Sequence, residues 1–198
     1  MMMAVTGLAF IGFLTAHLVG NLSIYGGREA FNAYAEKLHA LGPLITAMEM
    51  GLLIFAAVHV ATGILLFIQN LQARPVSYSR YKSAGGRTLS SRTMPYTGLI
   101  ILGFVIFHLI NFSFTDKTDR TIYQIVSSAF ANPVYVIIYM AAMIVVALHV
   151  RHGLWSAFQT LGGNHPKYMP TIMILSVALG LVFAFGFGFL PIYLSLNA

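Results

Sequence analysis

Four histidines lie inside apolar stretches of this chain, and their surroundings repeat. Met3, Thr6, Gly7, Leu8, Phe13, His17 and Leu18 recur 91 positions later as Met94, Thr97, Gly98, Leu99, Phe104, His108 and Leu109. His59, Val60, Gly63, Gln69 and Leu71 recur 90 positions later as His149, Val150, Gly153, Gln159 and Leu161. Imidazole is a strong iron ligand, and histidines paired by internal repetition within membrane helices form a haem-binding pattern. Cysteine is absent, which excludes iron–sulfur clusters, thiolate ligation and covalent CxxCH attachment of haem within this chain. A haem here is expected to be non-covalent and held by histidines.

Competing uses of the same residues carry weight. A single histidine in an apolar helix is more often a hydrogen-bonded interhelical residue than a ligand, although ionisable groups at that depth default to function. Metal-ion or proton transport is another use of membrane histidines. It calls for acidic co-ligands at the same level, and none of the four has a carboxylate nearby in sequence.

The elements that must position the histidines follow from composition. Of 198 residues, 58% are hydrophobic and 8% charged, with a mean hydropathy of +0.81, the profile of membrane helices rather than of a soluble domain. Five stretches are long enough to span: 4–24, 44–70, 95–114, 133–160 and 168–195. Residues 1–198 are therefore expected to form one all-α transmembrane domain, with the first four spans as a haem-filled bundle and the fifth packed outside it. Phe183, Phe185, Phe187 and Phe189, interleaved with glycine in the fifth span, suggest packing or lipid contact. The first apolar run lacks the basic flank and cleavage site of a signal peptide, and it starts so close to Met1 that a few residues are expected to precede it.

The net charge of +6 follows topology rather than nucleic-acid binding. Arg74, Arg80, Lys82, Arg87 and Arg92 crowd the connection between the second and third spans without an acid. The 25–43 and 115–132 connections are balanced, Arg28, Lys37, Lys117 and Arg120 standing against Glu29, Glu36, Asp116 and Asp119. The positive-inside rule then puts the 72–94 loop and the N-terminus in the cytoplasm and the C-terminus outside, and Lys167 agrees. Topology alone accounts for the basic loop; docking of a soluble partner on that face is the sharper reading.

Depth comes from counting along these spans. His17 and His108 each lie 13 residues past the start of an outward-running span, about 20 Å from the cytoplasmic face. His59 and His149 lie 15 and 16 residues along inward-running spans, about 22 Å from the outer face. His17 thus pairs by depth with His108, and His59 with His149, the levels being roughly 10 Å apart. Gly63 and Gly153 each follow a candidate ligand by four residues, where a missing side chain leaves room for a porphyrin. Of the other histidines, His152 lies one turn past His149, within reach of the same haem edge; His39 falls in the first outer loop; His165 precedes Pro166 in a connection.

The segments TGLAFIGFLTAHLVGNL (6–22), SRTMPYTG (91–98) running to FHL (107–109), and LHVRHGLWSAFQTLG (148–162) resemble the cytochrome b membrane subunit of succinate dehydrogenase and fumarate reductase. The likeness is to the single-subunit, five-helix, di-haem type, and it covers essentially the whole chain. Its most specific part is HxxxGLWxxFQ at 149–159. The resemblance implies that His17 and His108 hold a distal haem b and His59 and His149 a proximal one. It implies two partners docked on the cytoplasmic face, a flavoprotein carrying FAD and an iron–sulfur protein, in the cytoplasmic membrane of a bacterium; a dimer of such heterotrimers is one assembly it allows. Electrons would pass between the iron–sulfur chain and menaquinone, whose site lies near the distal haem.

Quinone turnover needs protons, and Glu36 and Glu49 are the candidate acids, Glu36 sharing an amphipathic interfacial segment with Lys37 and His39. Ser91, Arg92 and Gln159 lie where proximal haem propionates would leave the bundle, with Arg151 just past His149. No residue of this chain is expected to catalyse dicarboxylate chemistry. Two other classes remain: a di-haem anchor of another quinone-linked complex (hydrogenase, formate dehydrogenase or heterodisulfide reductase), and a haem-free transporter.

Overall fold

The computed structural model describes residues 1–73 and 89–197. Helix α1 spans Met2–Leu22, α2 Gly27–His39, α3 Pro43–Gln72, α4 Leu89–His108, α5 Ile122–Phe130, α6 Pro133–Thr160 and α7 Met169–Leu196. A 3-10 turn (Ser23–Gly26) follows α1, and a π turn (Leu109–Ser113) continues α4. Five helices are long and apolar enough to cross a membrane, and each expected span falls on one of them: α1, α3, α4 with its π turn, α6 and α7. The chain is a multi-pass membrane protein, all-helical among the described residues. The third span differs at its start. Helix α4 begins before Pro95, which lies inside it; membrane helices tolerate such a proline because neighbouring groups re-satisfy the freed carbonyl.

Two short helices cap one end. Helix α2 buries Phe31 and Ala35 and leaves Glu29, Glu36 and Lys37 exposed, the amphipathic segment expected there. Gly27 and Gly42 bracket it with φ of 86° and 54°, a region that disfavours other residues, so the chain can turn sharply into and out of it. Helix α5 was not foreseen. It starts at a capping box, Thr121 Oγ1 accepting from the Gln124 N–H while the Gln124 side chain accepts from the Thr121 N–H. The two helices join where the Tyr123 N–H donates to Asn32 Oδ1 at 3.0 Å and Arg28 lies 5.9 Å over the Tyr123 ring.

The spanning helices are unequally packed. Helices α6 and α7 approach closely through small residues: Ser176 and Gly180 are buried one turn apart, and a Cβ at Gly180 would stand 3.0 Å from the Ala147 carbonyl oxygen. Leu18 of α1, Met143, Val146 and Val150 of α6, and Phe183 of α7 form one core. A second, nearer the α2/α5 end, gathers Ile24, Phe31, Phe130, Tyr139, Leu190 and Leu194. Helix α7 packs against α6 and α1, beside the four helices that carry the histidines. Phe183 is fully buried and Phe187 meets the His17 ring at 5.7 Å, whereas Phe185 and Phe189 point outward. Gly186 permits this, since a Cβ there would come within 2.8 Å of Leu18. Helix α3 is the opposite case: none of its residues is buried.

Candidate functional site

Two pairs of histidines meet between the helices. His17 of α1 faces His108 of α4 with ring centroids 6.0 Å apart and planes at 89°. His59 of α3 faces His149 of α6 at 6.5 Å and 62°. These are the partners that depth had matched. The second pair's level on α1 is set by Thr6, Gly7 and Phe10, which touch His59. That lies seven to eleven residues before His17, about 10–16 Å at the helical rise.

The second pair is held by a repeated device. Thr6 Oγ1 lies 2.9 Å from His59 Nδ1, and Thr97 Oγ1 lies 3.0 Å from His149 Nδ1. Both threonines are buried. The next residue in each case is a glycine lying against the ring's Cε1 edge. A Cβ built at Gly7 would be 3.4 Å from His59 Cε1, and one at Gly98 would be 3.5 Å from His149 Cε1. Thr6-Gly7 and Thr97-Gly98 were visible as repeated residues, but nothing in the sequence alone says what they touch, because the contacts reach across 53 and 52 positions.

The first pair sits among aromatic rings. Phe13 stacks on His17 at 5.3 Å, Phe187 leans on it from α7, and Phe104 and Phe112 flank His108 at 6.0 and 5.3 Å. Its polar contacts are long: Tyr139 Oη to His108 Nδ1 at 3.4 Å, and the Asn21 side-chain nitrogen to the His17 ring nitrogens at 3.4–3.5 Å. The Asn21 amide is engaged more closely by the His17 carbonyl, at 2.8 Å. Directly after His108 the helix widens into its π turn, closed by the Phe114 N–H on the Leu109 carbonyl at 2.8 Å; such turns recur at functional sites.

The remaining candidates divide. A Cβ at Gly153 would meet no atom within 4 Å, whereas one at Gly63 would lie 3.2 Å from the Met3 methyl, so only Gly153 opens on free space. His152 packs edge-on against Trp155 at 4.8 Å, and its Nδ1 is buried without a hydrogen-bond partner. Arg92, Arg151 and Gln159 are exposed, as are Glu36 and Glu49 on α2 and α3. The Ser91 side chain and the basic residues Arg74, Arg80, Lys82 and Arg87 lie outside the described residues.

Among the described residues no group of three or more His, Cys, Asp or Glu side chains could enclose a metal ion. Paired imidazoles alone suit a metal whose other ligands come from a macrocycle. His17 with His108, and His59 with His149, are the residues that would hold such a metal. Comparison with protein-family models, with curated proteins and with solved structures finds no match.

Proposed function

We propose that this chain is the di-haem cytochrome b anchor of a succinate:quinone oxidoreductase, relaying electrons between an iron–sulfur subunit and menaquinone. The observation that carries the haem reading is the meeting of two separate histidine pairs, His17 with His108 and His59 with His149, at two levels of the helices. The choice of complex rests on the sequence resemblance. A bis-histidine haem supplies a one-electron relay with no open coordination position for substrate.

The chain's own residues would do the rest. His17 and His108 hold one iron, His59 and His149 the other, and apolar helices keep water from both. His152 Nδ1, buried and unpaired one turn from His149, would donate to a haem carboxylate when it carries the ring proton. Arg92, Arg151 and Gln159, exposed nearby, and Ser91 are candidates for the same role. Glu36 and Glu49 are the candidate acids for quinone protons. In the orientation set by the basic 72–94 loop, in a bacterial cytoplasmic membrane, the soluble subunits dock at that end and the quinone binds toward the α2/α5 end.

Pyridine haemochrome and dithionite-reduced spectra of the purified complex test this. Two b-type haems per chain are expected; a protein without haem would return the histidines to transport or packing. Co-purification of a flavoprotein with succinate-oxidising or fumarate-reducing activity would distinguish this complex from a hydrogenase, formate dehydrogenase or heterodisulfide reductase.

A further inference from the structure

We infer that Thr6 and Thr97 are positioning residues that fix the tautomer of His59 and His149, leaving Nε2 of each ring as the metal-binding nitrogen. The inference rests on the haem reading above and extends it to two residues that are not ligands. Each threonine hydroxyl has one proton, and in each the proton has another acceptor. Thr6 Oγ1 donates to the Met2 carbonyl at 2.9 Å, with the Met3 carbonyl at 3.3 Å. Thr97 Oγ1 donates to the Met94 carbonyl at 3.0 Å. With its proton on the backbone, the hydroxyl presents only lone pairs to the imidazole. A ring nitrogen 2.9–3.0 Å away must then carry the hydrogen, because two facing lone pairs at that distance repel. Nδ1 is the N–H donor in both rings, so the free lone pair is on Nε2.

The same device occurs at both repeats, and in each the following glycine admits the Cε1 edge of the ring. Threonine sets the ring's proton and glycine its approach. A hydrogen bond from the distal N–H also makes an imidazole a stronger donor to iron, which stabilises the oxidised metal. Both threonines address one site, although they belong to different helices. Substituting either should therefore change the same one of two haems.

The experiment is a redox titration, with low-spin ferric EPR spectra and haem quantification, on the purified complex carrying Thr6→Val, Thr97→Val, Thr6→Ser or Thr97→Ser. Valine keeps the shape and removes the hydroxyl; serine keeps the hydroxyl. Each valine variant is expected to raise the midpoint potential of the same single haem, shift its EPR signal, and weaken its retention about 10-fold or more, with serine restoring all three. Unchanged potentials and spectra in the valine variants, or serine behaving as valine does, would overturn the inference while the two haems of the parent protein uphold the haem reading. A parent protein without haem would overturn the haem reading itself, and the inference with it.

Discussion

His59 and His149 each face a buried threonine hydroxyl at 2.9 or 3.0 Å, whereas His17 and His108 rest on rings and on polar contacts of 3.4 Å or more. One pair joins α1 to α4 and the other α3 to α6, and they differ in what limits their freedom. In the first, Phe13, Phe104, Phe112 and Phe187 confine the imidazoles by shape, and shape leaves the tautomer open. In the second, a hydrogen bond limits rotation and also selects a nitrogen. Packing and polar partnering are alternative ways to orient a ligand, and only the second acts directly on its electron density.

The strongest way to break this comparison is to delete ligands. His149→Ala and His108→Ala should each reduce haem from two per chain to one, and the residual spectra should be complementary; loss of both haems in either variant would mean the pairs are not separate sites. Next comes the packing that confines the first pair. Phe183→Ala empties a fully buried position beside Leu18 and should cost about 3–5 kcal/mol, read as the thermal stability of the detergent-solubilised complex. If the first pair depends on shape, its haem should dissociate earlier on heating than the second pair's.

Gly98→Val tests the second pair from the side of steric approach. A Cβ alone would make ordinary contact at 3.5 Å, so Gly98→Ala should be tolerated, while the added valine methyls press on His149 Cε1. A cost of about 1–3 kcal/mol is expected, seen as weaker retention of that haem alone. The smallest effect belongs to Tyr139→Phe. At 3.4 Å the phenol is a weak partner of His108, so its loss should change stability by about 1 kcal/mol and leave the potential of the first haem nearly unmoved. A shift as large as that of Thr97→Val would show that the first pair, too, is tuned by a hydrogen bond.

Much of this is legible in the sequence. Span positions come from hydropathy, and counting residues from the bilayer faces matched His17 with His108 and His59 with His149, because a helix converts sequence number directly into depth. What lies around the helix axis was less readable. The burial of Phe183 and the meeting of Phe187 with His17 depend on the rotation of α7, which Gly180 and Gly186 permit but which no periodic pattern announces in a helix apolar on every side. Helix α5 had a signal that could have been used, since Thr121 followed three residues later by Gln124 is a helix-start signature. The threonine–histidine contacts join residues more than fifty positions apart, so the sequence displayed the repeated threonines without revealing what they face.

The internal repeat has a consequence for symmetry. Thr6 of α1 serves His59 of α3, and Thr97 of α4 serves His149 of α6, so each positioning contact closes within one repeat. Each histidine pair does the reverse: His17 with His108, and His59 with His149, always takes one member from each repeat. The repeats run in the same direction through the membrane, the relation expected of copies turned about an axis along its normal. A two-helix hairpin carrying one Thr-Gly, one His17-like and one His59-like position therefore holds half of each site. Two such hairpins side by side complete both, so this single polypeptide has the geometry of a fused homodimer.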